Sequence, residues 1–269
     1  MSRIDKRFAR LRETKRTGLI PFITAGDPSP DATVAIMHAL VGAGADLIEL
    51  GVPFSDPMAD GPVIQHANER ALARGVGLSK ILEWVREFRT RDADTPVVLM
   101  GYLNPIEIRG MHRFATEARD AGVDGVLLVD CPIEEADATA AIRDAGLARI
   151  LLAAPTTAET RLAAICAAAE GFLYYVSFAG ITGANRLSMD DVRARVAQIR
   201  RPAKTPVAVG FGVRDAASAA AIGAFADAVV IGSALVDRLA GAADTEDASR
   251  KARGFLAPIR AALDARHVA

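Results

Sequence analysis

The stretch Ala43-Gly44-Ala45-Asp46-Leu47-Ile48-Glu49-Leu50-Gly51 joins the end of a helix to a short buried strand with almost nothing between them. The glycine can take the left-handed conformation that stops a helix, and the apolar run after it is too short for another helix. The same joint recurs at Ala121-Gly122-Val123-Asp124 and, with the acid replaced, at Ala145-Gly146-Leu147-Ala148. Outward from these joints, short apolar runs read as strands at 19–24, 47–51, 97–101, 125–129, 150–153, 172–176, 207–210 and 228–231. Segments with helical periodicity follow at 31–43, 78–90, 110–121, 134–145, 158–168, 190–200, 214–224 and 248–265. Apolar strands each followed by a helix indicate parallel strands under a helical cover. About eight such units in series, joined by right-handed crossovers, predict an α/β chain closed into a (β/α)8 barrel, with an open doubly wound sheet as the competing arrangement.

The chain has 269 residues, 51% of them hydrophobic, and no linker or low-complexity break. That suits one barrel domain over 1–269. Residues 2–14 read as an extra helix that places Ile4, Phe8 and Leu11 on one face to close an end of the barrel. This segment has no apolar core of the secretory kind, and no run of about 20 apolar residues suggests a membrane span. A net charge of −1 gives no electrostatic reason to expect nucleic acid or an anionic membrane as partner. Cys131 and Cys166 form neither a metal spacing nor a disulfide framework, and a reducing cytoplasm is the expected compartment.

Barrel chemistry gathers at the C-terminal ends of the strands. Alternation along the second strand sends Ile48 and Leu50 outward to the helices and Glu49 inward, near the mouth. A carboxylate there either closes a buried ion pair or serves as an acid or base with a raised pKa. The loop that follows, Pro53-Phe54-Ser55-Asp56-Pro57-Met58-Ala59-Asp60-Gly61-Pro62, is braced by prolines and carries two aspartates. Either aspartate is also suited to forming a turn or capping the helix that begins near Val63. In the sixth strand Tyr174 and Tyr175 take opposite faces, so one of them faces the mouth, as barrel filling or to orient a reacting group. Glycine turns at Thr182-Gly183, Gly210-Phe211-Gly212 and Gly232-Ser233 are candidates for holding an anion. The last two follow the seventh and eighth strands, where a short helix over 234–239 can present bare N–H groups to a phosphate. The four histidines all fall in helical or terminal segments, which argues against a histidine-held catalytic metal. The five lysines lie off the strands, which argues against a Schiff base.

Four motifs together resemble one family, the tryptophan synthase alpha subunits: Phe22-Ile23-Thr24-Ala25-Gly26-Asp27-Pro28, the run from Glu49 to Pro62, Gly101-Tyr102-Leu103-Asn104-Pro105 and Gly210-Phe211-Gly212. The resemblance covers nearly the whole chain and implies a TIM barrel that cleaves indole-3-glycerol phosphate to indole and glyceraldehyde 3-phosphate. It implies Glu49 as general acid and base, Asp60 as the group that stabilises the indole N–H, and Tyr174 as the tyrosine at the mouth. The implied phosphate cradle is Gly183, Phe211, Gly212, Gly232 and Ser233, and the implied indole pocket Phe22, Ile64, Met100, Tyr102 and Leu127; Thr182, beside Gly183, is a further substrate-binding candidate. It also implies no cofactor in this chain, and a beta partner that uses pyridoxal phosphate to join indole to serine in an α2β2 assembly. Pro53, Asp56, Pro57, Asn104 and Pro105 would face that partner. Phe178 departs from the pattern, since many members carry a basic residue there; this bears on loop closure after the sixth strand. A stand-alone lyase and a non-catalytic phosphate-binding barrel are the competing functions.

Overall fold

The computed structural model describes residues 1–176, 188–210 and 212–265. Eight parallel strands close in chain order into a barrel, so the open-sheet alternative is excluded. They are β1 (Gly18–Thr24), β2 (Ile48–Gly51), β3 (Val97–Gly101), β4 (Gly125–Leu128), β5 (Ala148–Ala153), β6 (Leu173–Val176), β7 (Val207–Gly210) and β8 (Ala228–Ile231). α1 (Arg3–Glu13) precedes them. Around them stand α2 (Thr33–Gly42), α3 (Pro62–Ala73), α4 (Leu78–Arg89), α5 (Leu103–Arg109), α6 (Met111–Ala121), α7 (Ala140–Asp144), α8 (Glu159–Ala168), α9 (Met189–Arg200), α10 (Ala216–Gly223), α11 (Ser233–Ala240) and α12 (Thr245–Asp264). Among the described residues no helix is long and apolar enough to cross a membrane.

Strand alternation sorts the core into layers. Ile48 and Leu50 join the large cluster between sheet and helices. Leu47, Val98, Leu127, Ile150 and Phe172 point inward and share a cluster with Ile4, Phe8 and Leu11 of α1. The N-terminal helix therefore plugs one end of the barrel, as its periodicity predicts. It starts on a capping box, with the Ser2 hydroxyl accepting the Asp5 N–H at 3.1 Å and the Asp5 carboxylate accepting the Ser2 N–H at 3.0 Å.

Two acids of the recurring glycine joint, Asp46 and Asp124, share a second purpose with Glu170 and Asp227. At the plugged end, the acid before each even strand accepts the first free N–H of the odd strand beside it. Asp46 bonds Leu19 at 3.0 Å, Asp124 bonds Val97 at 2.8 Å, Glu170 bonds Arg149 at 2.9 Å and Asp227 bonds Val207 at 2.8 Å. Parallel strands leave such N–H groups open at their starts, and leaving them buried without a partner is costly. Arginines balance the acids: Arg260 and Arg7 at Asp46, Arg89 and Arg3 at Asp124, and Arg200 at Asp227. Asp124→Ala should lower stability by about 3–5 kcal/mol, because the mostly buried Arg89 guanidinium loses its carboxylate. Urea unfolding would show a lower midpoint at unchanged slope, and a loss below about 1 kcal/mol would reduce the staple to decoration.

Two elements differ from the sequence reading. The helix expected over 134–145 is a 3-10 segment, Ile133–Thr139, followed by the single turn α7, with a break at Glu135 (φ −95°, ψ 29°). Arg149 draws the chain aside by donating to the Thr139 hydroxyl at 3.0 Å and the Ala136 carbonyl at 3.4 Å, a tertiary contact that overrides local preference. Conversely, Leu103–Arg109 is a helix that the sequence reading did not place. Proline is tolerated in a first helical turn, and the Asp130 carboxylate accepts the Leu103 N–H at 2.8 Å.

Candidate active site

At the open end of the barrel lies a cavity of about 340 Å³. β2 delivers Glu49 to its wall and β6 delivers Tyr174, each by inward alternation. Phe22, opposite Glu49 across the β1–β2 pair, and Met100 of β3 add apolar surface, as does Ile64 from the first turn of α3. Asp60 reaches the cavity from the loop before α3, and Gly212, Gly232 and Ser233 line it beyond the ends of β7 and β8. Val63, Val129, Leu152, Val176, Val213 and Val230 also line it. The sequence reading missed these because valines and leucines at strand ends, in a helix or in a loop look like ordinary core. Leu127 sits fully buried in the interior cluster and does not line the cavity. Tyr102 does not line it either.

Glu49 is 0% exposed, and neither carboxylate oxygen has a hydrogen-bond partner among the described residues. Among the described residues, therefore, no ion pair holds Glu49. Burial alone pushes its pKa up to about 8, so the neutral acid prevails at pH 7. Burial, and then the charge of a nearby Glu49 carboxylate, push the Tyr174 hydroxyl well above its usual range, keeping it a phenol. Its hydroxyl fills the space that a side chain at Gly210 would need: a Cβ there would lie 2.0 Å from the tyrosine oxygen. Gly210 thus makes room for Tyr174. Gly212 has the left-handed conformation (φ +86°) expected of an anion-binding turn, with open space on its Cβ side.

Asp60 is not the cap of α3. That helix starts from Gly61, with Pro62 in its first turn and no side-chain cap. Freed from capping, the Asp60 carboxyl is raised to about 6 by burial, while Tyr102 and Asn68 pull it down. The site thus combines a deep neutral acid, a carboxyl at its edge and unblocked backbone beyond β7 and β8. Such an arrangement suits an apolar ring with an anionic tail and can move protons at the ring.

Sequence comparison matches residues 8–262 to the family described as tryptophan synthase alpha chain. The chain belongs to the tryptophan synthase alpha chain family. It is 64% identical to the tryptophan synthase alpha chain of Xanthomonas oryzae pv. oryzae (strain PXO99A) over 267 residues, covering 98% of this chain and 99% of that one. It is 62% identical to that of Xylella fastidiosa (strain M12), with the same coverage. The solved structure of tryptophan synthase subunit alpha from Legionella pneumophila str. Paris superposes with a TM-score of 0.92 at 45% identity, covering 98% of this chain and 99% of that one. Among the residues singled out by resemblance to the tryptophan synthase alpha chains, Thr182, Gly183 and Phe211 lie outside the described residues, as does Phe178. The expected partner-facing residues differ in exposure. Pro53 is buried, Pro57 and Pro105 are half-buried, and Asp56 and Asn104 are exposed. Met58, in the same loop as Asp56, is 77% exposed, and Ile108, in α5 with Asn104, is 81% exposed.

Proposed function

We propose that Glu49, Asp60 and Tyr174 carry out the cleavage of indole-3-glycerol phosphate to indole and glyceraldehyde 3-phosphate in this chain. The observation that carries the reading is the Glu49 carboxyl, unpartnered among the described residues, in the wall of an apolar cavity that Asp60 also lines. A retro-aldol cleavage needs a proton delivered to indole C3 and another removed from the adjacent side-chain hydroxyl. Glu49 in its acid form gives its proton to C3. As the resulting carboxylate it takes the hydroxyl proton while the carbon–carbon bond breaks, the aldehyde forms and the bonding electrons return to the indole. The acid is thereby regenerated. Protonation of C3 leaves positive charge on the ring nitrogen, and the ionised Asp60 stabilises it. Tyr174, kept as a phenol, orients the reacting chain, while Gly212, Gly232 and Ser233 receive the phosphate on bare N–H groups.

The domain is one barrel over the whole chain, acting without a cofactor of its own in the cytoplasm. A beta subunit takes the indole in an α2β2 complex, and pyridoxal phosphate works there. The exposed Met58 and Ile108 support a partner surface formed by the Pro53–Pro62 loop and α5, since apolar side chains so exposed gain from being covered. The test is turnover of the pure chain with and without stoichiometric beta subunit. Activity should rise about ten- to a hundred-fold with the partner, which needs only about 1.4–2.7 kcal/mol of differential binding. Full activity alone, with no response, would favour the stand-alone lyase.

A further inference from the structure

Resemblance places Tyr102 in the indole pocket, but its side chain is 4% exposed and lies behind the Asp60 loop instead. Its hydroxyl oxygen accepts the Ala59 N–H at 3.0 Å, and its ring packs on Phe54 with centroids 5.1 Å apart. A phenol whose lone pair is taken by an amide still has its proton to give, and the neighbouring side chain is the Asp60 carboxyl. On α3, Asn68 is 4% exposed, and its amide nitrogen lies 3.5 Å from Asp60 Oδ2. Gln65 holds the same segment through the Asp60 carbonyl at 2.8 Å. Loop, strand end and helix thus converge on one carboxyl.

We propose that Tyr102 and Asn68 are positioning residues for Asp60, donating to its carboxylate from the end of β3 and from α3 and so fixing both its place and its charge. The inference rests on the role proposed for Asp60. The energetics agree with the geometry. Burial raises the Asp60 carboxyl to about 6, with Tyr102 and then Asn68 opposing the rise, and no charged side chain among the described residues contributes. Glu49 shares the cavity with Asp60, and the Asp130 charge acts on Tyr102. Burial and then Asp60 push the Tyr102 hydroxyl upward, so it remains a protonated donor across the working range. Tyr102 and Asn68 therefore oppose protonation of a carboxyl that must be negative when the ring nitrogen becomes positive.

The test is a paired titration of the full-length chain, wild type against Tyr102→Phe and Asn68→Ala. Carbon-13 NMR of the Asp60 carboxyl gives its midpoint directly, and kcat/KM against pH gives the acid limb. In Tyr102→Phe both should move up together by about one pH unit, which costs roughly ten-fold in activity below the limb and is recovered on raising the pH. Asn68→Ala should move them the same way by less. A purely structural role would instead lower activity evenly across pH and leave both midpoints in place. Midpoints unmoved in both variants, with thermal unfolding showing them folded, would overturn the inference. Asp60→Asn separates it from the reading beneath it. If that variant stays active while the NMR midpoint still shifts in Tyr102→Phe, the positioning stands and the role of Asp60 in turnover falls.

Discussion

Glu49→Gln is expected to lose about 10²- to 10⁴-fold in turnover, or about 3–5.5 kcal/mol of transition-state stabilisation, while indole-3-glycerol phosphate still binds. The amide keeps the shape of the side chain and cannot transfer the proton. The wild-type pH profile should carry the signature of the group. Activity depends on Glu49 being protonated, so kcat/KM should fall as pH rises through about 8. It should rise with pH through about 6, as Asp60 ionises. Whatever activity Glu49→Gln retains should lack the alkaline limb. Stability supplies an independent check. A carboxyl whose pKa rises on folding from 4.5 to about 8 is protonated in the folded chain and ionised in the unfolded chain between those values. The unfolded state binds fewer protons there, so the contribution of Glu49 to stability declines as pH climbs across that window. At pH 8 the Gln variant should therefore be no less stable than wild type. Retention of more than about a tenth of the turnover would remove Glu49 from the acid–base role.

Asp60→Asn should cost about 10²- to 10³-fold in kcat, comparable to removing one preorganised electrostatic group from an active site. The amide oxygen can still accept from Tyr102, so position is largely kept and charge is lost. The loss should therefore fall on kcat with little change in KM, and no pH should restore it. Single-turnover measurements would place the defect in cleavage itself. A rate close to wild type would leave Asp60 with only a loop-shaping part.

Much of this site was legible from short-range pattern. Glu49 could be placed inside the barrel because alternation fixes its direction from two outward neighbours, Ile48 and Leu50. Alternation put Tyr174 and Tyr175 on opposite faces without saying which faces inward; the resemblance chose Tyr174, and Tyr175 packs outward among the helices. Other features were not legible because the deciding contact comes from far along the chain. Tyr102 looked like pocket wall, and only the fold shows it turned to the Ala59 amide, 43 residues away in sequence. Asn68 carried no signal at all, being one polar residue on an otherwise ordinary helix. Leu127 faces inward as expected but sits in the interior layer. The helix over 134–145 was lost to Arg149, which lies beyond its end.

By itself the sequence determined the alternation of strand and helix, the glycine stops between them and the strand end that bears the key carboxyl. These follow from periodicity and backbone conformation, which are properties of neighbouring residues. Only the tertiary structure decided that the sheet closes, that Glu49 has no partner among the described residues and that Asp60 faces Tyr102 and Asn68. The ionisation of a buried carboxyl depends on which atoms surround it in space, and those atoms come from strands, loops and helices that meet only once the barrel has closed.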